Sequence, residues 1–300
     1  MLLFPVSALV FCAALCLNLV SGADPAAESD MVLTPGGYQP RSNFHPIPKG
    51  ARIAHVGSNL HVVASNGTIL KVVPATKKPR PAAAKNTTIP AQSGWISFVS
   101  WLDTSTDPID PIEIFKAEWD VPPLPAVYSG QTIFMFPGLE PDSFDSIVQP
   151  VLQYGVSAIG GGRFWARASW YVFGNSQFFS DGLVPVNPGT HLTGSINFVP
   201  PQQSPGTYFS KFEFDGTHIA TTLAVDHVPK MTWAAIALEA YNIASPSNYP
   251  VGQSVFTYTL IKRVSDLGTV PWSITNDPAD GISMRVLDSS AINGDVVLTW

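Results

Sequence analysis

From about residue 92 onward the chain is a succession of short apolar or alternating runs separated by turn residues. They cover 95–102, 112–121, 131–137, 147–156, 163–173, 190–199, 207–214, 217–225, 231–242, 254–262, 283–287 and 296–300. Val, Ile, Thr, Phe, Tyr and Trp dominate these runs, the residues that fit a pleated, half-buried surface. Their spacing predicts an all-β fold, an antiparallel sandwich of two sheets. The stretch 148–173 reads as two strands joined by a turn at Gly160, Gly161 and Gly162. The first strand carries Gln149 and Gln153; the second carries Phe164, Trp165, Trp170, Tyr171 and Phe173. Segment 231–242 has helical propensity, but its length and its neighbours predict a strand.

The N-terminal third is organised differently. Residues 1–23 are apolar and end in Ser21, Gly22 and Ala23, as a secretory signal does, although no Lys or Arg stands near the start. An uncleaved anchor is the alternative. Residues 24–73 form a small pro-like segment in which 52–73 alternates and contains an Asn66-Gly67 hairpin turn. Residues 74–91, rich in Pro, Ala and Lys, have little to bury and read as an extended linker to a sandwich domain over 92–300.

Composition and charge sharpen this picture. Charged residues make up only 13% of the chain, and 28 Pro and 23 Gly favour turns over helices. Both cysteines, Cys12 and Cys16, fall inside the signal, so the mature chain is expected to rest on its packed core without disulfides. Sequons at Asn66 and Asn86 suit glycosylation of a secreted, extracellular protein, off the membrane once the signal is removed. Residues 1–90 hold eight bases against three acids, net +5, whereas 91–300 hold eight against nineteen, net −11. A basic segment beside an acidic domain suggests either a propeptide docked electrostatically over an acidic cleft or a solvated linker. The acidic domain argues against nucleic acid as a partner.

No metal or other cofactor is expected. The six histidines make no HExxH and no close pair. The acidic loop 140–145 lacks the spacing of an EF-hand and reads as solvated. Glu118-Trp119-Asp120 sits on a strand, but Pro122 stands where a two-carboxylate Glu-x-Asp-x-Glu pattern needs its second Glu. Glu239 interrupts an apolar strand and by alternation shares a face with Ala235, Ala237 and Tyr241. It is either partly desolvated, with a raised pKa suited to proton transfer, or a solvent-facing residue on the polar side of the sandwich.

Leu152-Gln153-Tyr154-Gly155, the glycine turn and Trp170-Tyr171 together resemble the catalytic Gln strand of the eqolisins, the fungal glutamic peptidases. Residues 234–239 (AAIALE) resemble their second strand, with its terminal catalytic Glu. Residues 117–122 (AEWDVP) resemble an early strand ending in Val-Pro, and 136–140 (FPGLE) stand where the family has Trp-Val-Gly-Ile-Asp. The order and approximate spacing agree across about 95–262. The resemblance implies a concanavalin-like jelly roll, Gln153 and Glu239 facing each other on its concave side, and acid endopeptidase activity on a polypeptide. It also implies a substrate groove lined by Phe136, Glu140, Trp165, Ser169 and Tyr171, the last three sharing a strand face by alternation. The family's Glu before Trp-Tyr is Ser169 here, and the Asp four residues after its Gln is Ser157, so the fold could persist without the chemistry. The rival expectation is a carbohydrate-binding or polysaccharide-cleaving sandwich, with Trp165 and Tyr171 stacking on sugar rings. In either case a monomer is expected.

Overall fold

The computed structural model describes residues 30–76, 94–105, 110–180, 182–199, 207–214, 218–263, 265 and 267–300. The expected signal, both cysteines, the Asn86 sequon and most of the expected linker lie outside these residues. Among them are 21 β-strands, a few single-turn 3-10 helices and no α-helix. In chain order they begin with β1 (Met31–Thr34), β2 (Gly37–Pro40), β3 (Phe44–Ile47), β4 (Arg52–Val56), β5 (Asn59–Val63) and β6 (Ile69–Pro74). Next come β7 (Trp95–Leu102), β8 (Ile112–Asp120), β9 (Thr132–Pro141), β10 (Ser146–Ser157), β11 (Gly160–Phe173), β12 (Ser176–Ser180) and β13 (Val184–Val186). The remainder are β14 (His191–Val199), β15 (Thr207–Phe214), β16 (His218–Asp226), β17 (Met231–Tyr241), β18 (Gln253–Arg263), β19 (Ser273–Asn276), β20 (Ser283–Asp288) and β21 (Gly294–Thr299).

The strands form a sandwich of a nine-stranded and a ten-stranded sheet, with β1 and β2 as a separate hairpin. The first sheet runs β19-β7-β17-β9-β10-β11-β12-β3, with β13 also on β11. The second runs β20-β21-β18-β8-β14-β15-β16-β4-β5-β6. Pairing is antiparallel except at two places, β3 with β12 and β4 with β16. Both parallel joins attach the N-terminal segment, which thereby extends both sheets, and Arg52 pairs with Asp226 at 2.5 Å beside the second join. Backbone ladders thus carry much of this attachment.

The main core fills the space between the sheets, with Val99, Phe115, Trp119, Leu152, Ile236 and Leu238 among its buried members. A second apolar cluster covers the outer face of the nine-stranded sheet: Leu33, Phe98, Phe134, Phe136, Trp170, Phe179 and Trp233 belong to it. A sheet buried on both faces needs apolar residues at successive positions rather than alternating ones. That is why β9 is buried throughout and β17 is buried up to its last residue. Burial of both faces also explains the apolar run over 231–240, which propensity alone leaves open between strand and helix.

The turn in the central hairpin is not where the glycines suggest. Ser157 pairs with Gly160, so the chain reverses at Ala158 and Ile159, and the three glycines open β11.

Candidate active site

Three neighbouring strands build one cross-strand row. Glu239 on β17 pairs with Phe134 on β9, and Phe134 pairs with Gln153 on β10. Directly paired residues point to the same face of a sheet, so Glu239 and Gln153 share the outer face of the nine-stranded sheet. Two strand spacings place their backbones roughly 10 Å apart.

Glu239 is fully buried. Its Oε1 accepts the Gly36 backbone N–H at 2.6 Å and the Tyr241 hydroxyl, whereas its Oε2 is buried without a hydrogen-bond partner. Loss of water around the carboxyl pushes its pKa up to about 8, against the opposing pull of those two donors. Of the two sequence readings of Glu239, the solvent-facing one is therefore wrong, because the face itself is covered.

Part of that cover is the β1–β2 hairpin. Thr34 pairs with Gly37, leaving Pro35-Gly36 as a two-residue turn, with Gly36 at φ 93°. Pro followed by a residue at positive φ suits a type II turn, and glycine takes that position without strain. The turn aims the Gly36 N–H at Glu239. Leu33 packs into the outer cluster, and its carbonyl accepts the Ala158 N–H at 2.7 Å. Tyr38 meets Tyr241 edge-on at 6.2 Å, and its hydroxyl accepts a hydrogen bond from Asn242 Nδ2 at 3.1 Å.

Gln153 is also buried, and its amide is engaged locally. Nε2 donates to the carbonyls of Gly155 (2.9 Å) and Gly160 (3.0 Å), while Oε1 accepts the Ser157 hydroxyl at 2.8 Å. Gly161, at φ 115°, makes this close approach feasible: a Cβ there would stand 2.6 Å from Gln153 Nε2 and 2.1 Å from the Gly155 oxygen. Ser157 matters because a hydroxyl can donate to Oε1, which orients the amide N–H groups onto the two carbonyls. An ionised Asp at that position has no proton to donate.

The other expected groove residues divide into two groups. Phe136 pairs with Ala237 and Glu140 with Trp233, so both share the face of Glu239. Both are buried, and Glu140 lies six residues along the strand, roughly 20 Å from the Gln153 row. Its pKa is pushed up to about 8 by burial and then by the charge of Asp145. The 140–145 loop is solvated only at its tip: Asp142 is exposed, whereas Glu140 and Asp145 are buried.

Trp165, Ser169 and Tyr171 do not line this face. Gln153 pairs with Ala166, so the even-numbered residues of β11 share its side and the odd-numbered ones point at the opposite sheet. Tyr171 hydrogen-bonds His55 on β4 at 2.7 Å, Ser169 meets Thr221 on β16 at 3.1 Å, and Trp165 packs against Tyr154 at 5.4 Å. The misplacement follows from the turn. A three-residue turn centred on Gly161 would pair Gln153 with Ser169, whereas the actual turn at 158–159 reverses the parity. Tyr241 stands on the Glu239 side as alternation expects, and the tryptophans that share this side without having been expected there are Trp95, Trp170 and Trp233. The pairing of Gln153 with Ala166 would have revealed Trp170.

A separate carboxylate cluster lies elsewhere. His191 contacts Asp120 at 2.9 Å and Glu118 at 3.2 Å, and these contacts raise its pKa. Among the described residues, no group of three or more His, Cys, Asp or Glu converges as a metal site. The Asn66 side chain sits exposed, with its Oδ1 accepting the Thr68 N–H at 3.0 Å.

No family model matches the chain, and no curated protein does. Among solved structures it is similar to a scytalido-glutamic peptidase bound to a peptide-based transition-state analogue, at 12% identity, covering 69% of this chain and 98% of that one, with a TM-score of 0.46. It is also similar to SCP-B, a member of the eqolisin family of peptidases, in complex with the tripeptide Ala-Ile-His, at 13% identity, the same coverage and a TM-score of 0.43. At these values the similarity assigns no residue role and no reaction to this chain.

Proposed function

We propose that this chain is a secreted endopeptidase of the glutamic type, held latent here by its N-terminal hairpin. The observation that carries this reading is the shared row: a buried carboxyl and an amide on one face, either side of Phe134. With the hairpin displaced and water admitted, the Glu239 pKa falls toward its ordinary value and the carboxylate becomes a general base. It takes a proton from water as the water oxygen bonds to the peptide carbonyl carbon. One Gln153 N–H, released from its backbone carbonyl, steadies the oxyanion. Glu239 then returns the proton to the departing nitrogen as the C–N bond breaks. A polypeptide is the substrate, and Asn66 is a site for a glycan.

A second reading is favoured by one observation. Both N–H groups of Gln153 are taken by backbone carbonyls, as they would be in a relative that has kept the fold and lost the chemistry. The carbohydrate reading loses its stacking platform, because Trp165 and Tyr171 are buried between the sheets.

The test is cleavage of a denatured protein from pH 2 to 7 by the full chain, by a Leu33→Asp variant that expels the hairpin, and by Leu33→Asp combined with Glu239→Gln or Gln153→Ala. Acid-dependent cleavage that rises in Leu33→Asp and vanishes in both combinations supports the peptidase. Full activity with either catalytic substitution, or none in any form, overturns it.

A further inference from the structure

The end of the outer face away from Gln153 holds a cluster that the proposed chemistry does not use. Trp233 and Glu140 are paired across β17 and β9. Gln149 stands on the next strand, one row nearer the dyad, beside Gly138; Gly138 is itself paired with Ala235. Diagonal neighbours of this kind lie about 7–8 Å apart, within reach of long side chains. Glu140 Oε1, Gln149 Oε1 and Trp233 Nε1 are all buried without a hydrogen-bond partner. Buried polar groups are usually paired, and here three unpaired ones fall in adjacent rows of one face.

Their chemistry indicates what is missing. Two of the three atoms are acceptors, one on a carboxyl, and the charged neighbour that acts on Glu140 is Asp145, another acid. Ile147 of β10 lies over Gly138, where an added Cβ would stand 2.8 Å from its Cδ1, so this side chain closes the floor beside the three polar atoms. Trp233 and Phe144, 5.6 Å apart, form an aromatic wall. A carboxyl, an amide oxygen and an indole face suit a group with several N–H donors and a positive charge. The indole N–H is left to meet a main-chain carbonyl of the same ligand.

Resting on the peptide-groove reading above, we propose that Glu140, Gln149 and Trp233 form a subsite for a lysine or arginine side chain of an extended polypeptide, about six residues from the dyad. The patch is closed in this structure. Phe144, which packs over Trp233, has φ 51°, a costly backbone conformation for a bulky residue.

The test uses the full chain carrying Leu33→Asp, which uncovers the face, and Glu239→Gln, which separates binding from cleavage. Heptapeptide amides with one lysine moved along an alanine frame, and their norleucine counterparts, are titrated by tryptophan fluorescence and calorimetry at pH 7. At one position lysine should bind about tenfold more tightly or better, the scale of a hydrogen bond to a charged group. Binding should release about one proton as Glu140 ionises, read from the dependence of heat on buffer. Both effects should disappear on adding Glu140→Gln and weaken on adding Gln149→Met, with thermal unfolding showing that each variant is folded. Equal binding of lysine and norleucine at every position, a preference that survives Glu140→Gln, or no peptide binding overturns the subsite. If the chain without Glu239→Gln cleaves proteins yet the variant shows no lysine preference, the subsite fails and the peptidase stands. If it cleaves nothing but the Glu140-dependent preference is present, the subsite stands and the chemistry fails.

Discussion

Replacing Glu239 by Gln should change how the stability of this protein depends on pH, whether or not it is an enzyme. The carboxyl is fully buried, and its pKa is about 8 against an ordinary 4.5. The folded state therefore keeps a proton that the unfolded chain gives up from about pH 4.5 upward. Stability from this group is fully present below 4.5, declines as pH rises to 8, and is flat beyond. A gap of about 3.5 units at about 1.4 kcal/mol each gives a loss of about 5 kcal/mol. Glu140, with the same shift, adds a similar loss over the same window. Against a typical total of about 5–15 kcal/mol, these two groups make the fold distinctly acid-favoured. His45 works the other way: burial and the charge of Lys71 lower its pKa to about 4, so it costs stability as pH falls from 6.5 toward 4. Comparing each variant with the parent chain removes that contribution. Urea unfolding at pH 4.5, 6 and 8 is the assay. Glu239→Gln should reduce the loss between pH 4.5 and 8 by about 4 kcal/mol, since the group is half-titrated at each end of that range, and Glu140→Gln by about as much. Parallel stability curves for the parent and Glu239→Gln would refute the buried, protonated Glu239 and with it the hairpin-covered face.

Other outcomes follow from single contacts. Gly161→Ala forces a Cβ onto the Gly155 oxygen at positive φ, and should cost about 1–3 kcal/mol in urea unfolding while shifting the Gln153 side-chain amide resonances. Arg263→Met removes the guanidinium 2.8 Å from the buried Asp103 carboxylate but leaves Lys230 at 3.8 Å, and should cost about 1–3 kcal/mol in the same assay. The His191 ring should titrate above its ordinary value in an NMR pH series and return toward it in Glu118→Gln, because that carboxylate helps hold its charge. Leu33→Asp should speed hydrogen exchange at the Gly36 amide, since the hairpin is seated by that side chain; unchanged exchange would mean that the hairpin is held some other way.

Much of the strand set could be read along the chain. The runs at 95–102 and 207–214 coincide with β7 and β15, and 231–242 is β17 to within one residue. These strands announce themselves through β-branched and aromatic residues between turn signals. Short strands such as β12, β13 and β19 were missed, because three to five residues carry too little pattern to stand out. Asn66-Gly67 stands in the β5–β6 hairpin as expected, since its backbone preference is local.

Strand identity and the occurrence of a Gln and a Glu in apolar strands were thus properties of the sequence itself, set by short-range pattern. Their placement in one row was decided by β9, which inserts between β10 and β17 and pairs Phe134 with both. Which aromatics accompany them was decided by parity: a turn displaced from the glycines to Ala158 and Ile159 sends Trp165 and Tyr171 into the core and Trp170 to the outer face. The burial of Glu239 was decided partly by a hairpin some 200 residues away in sequence. Local chemistry chooses strands, but register and the covering of a face are long-range, set by hydrogen bonds and packing between segments whose sequences carry no mark of their partners.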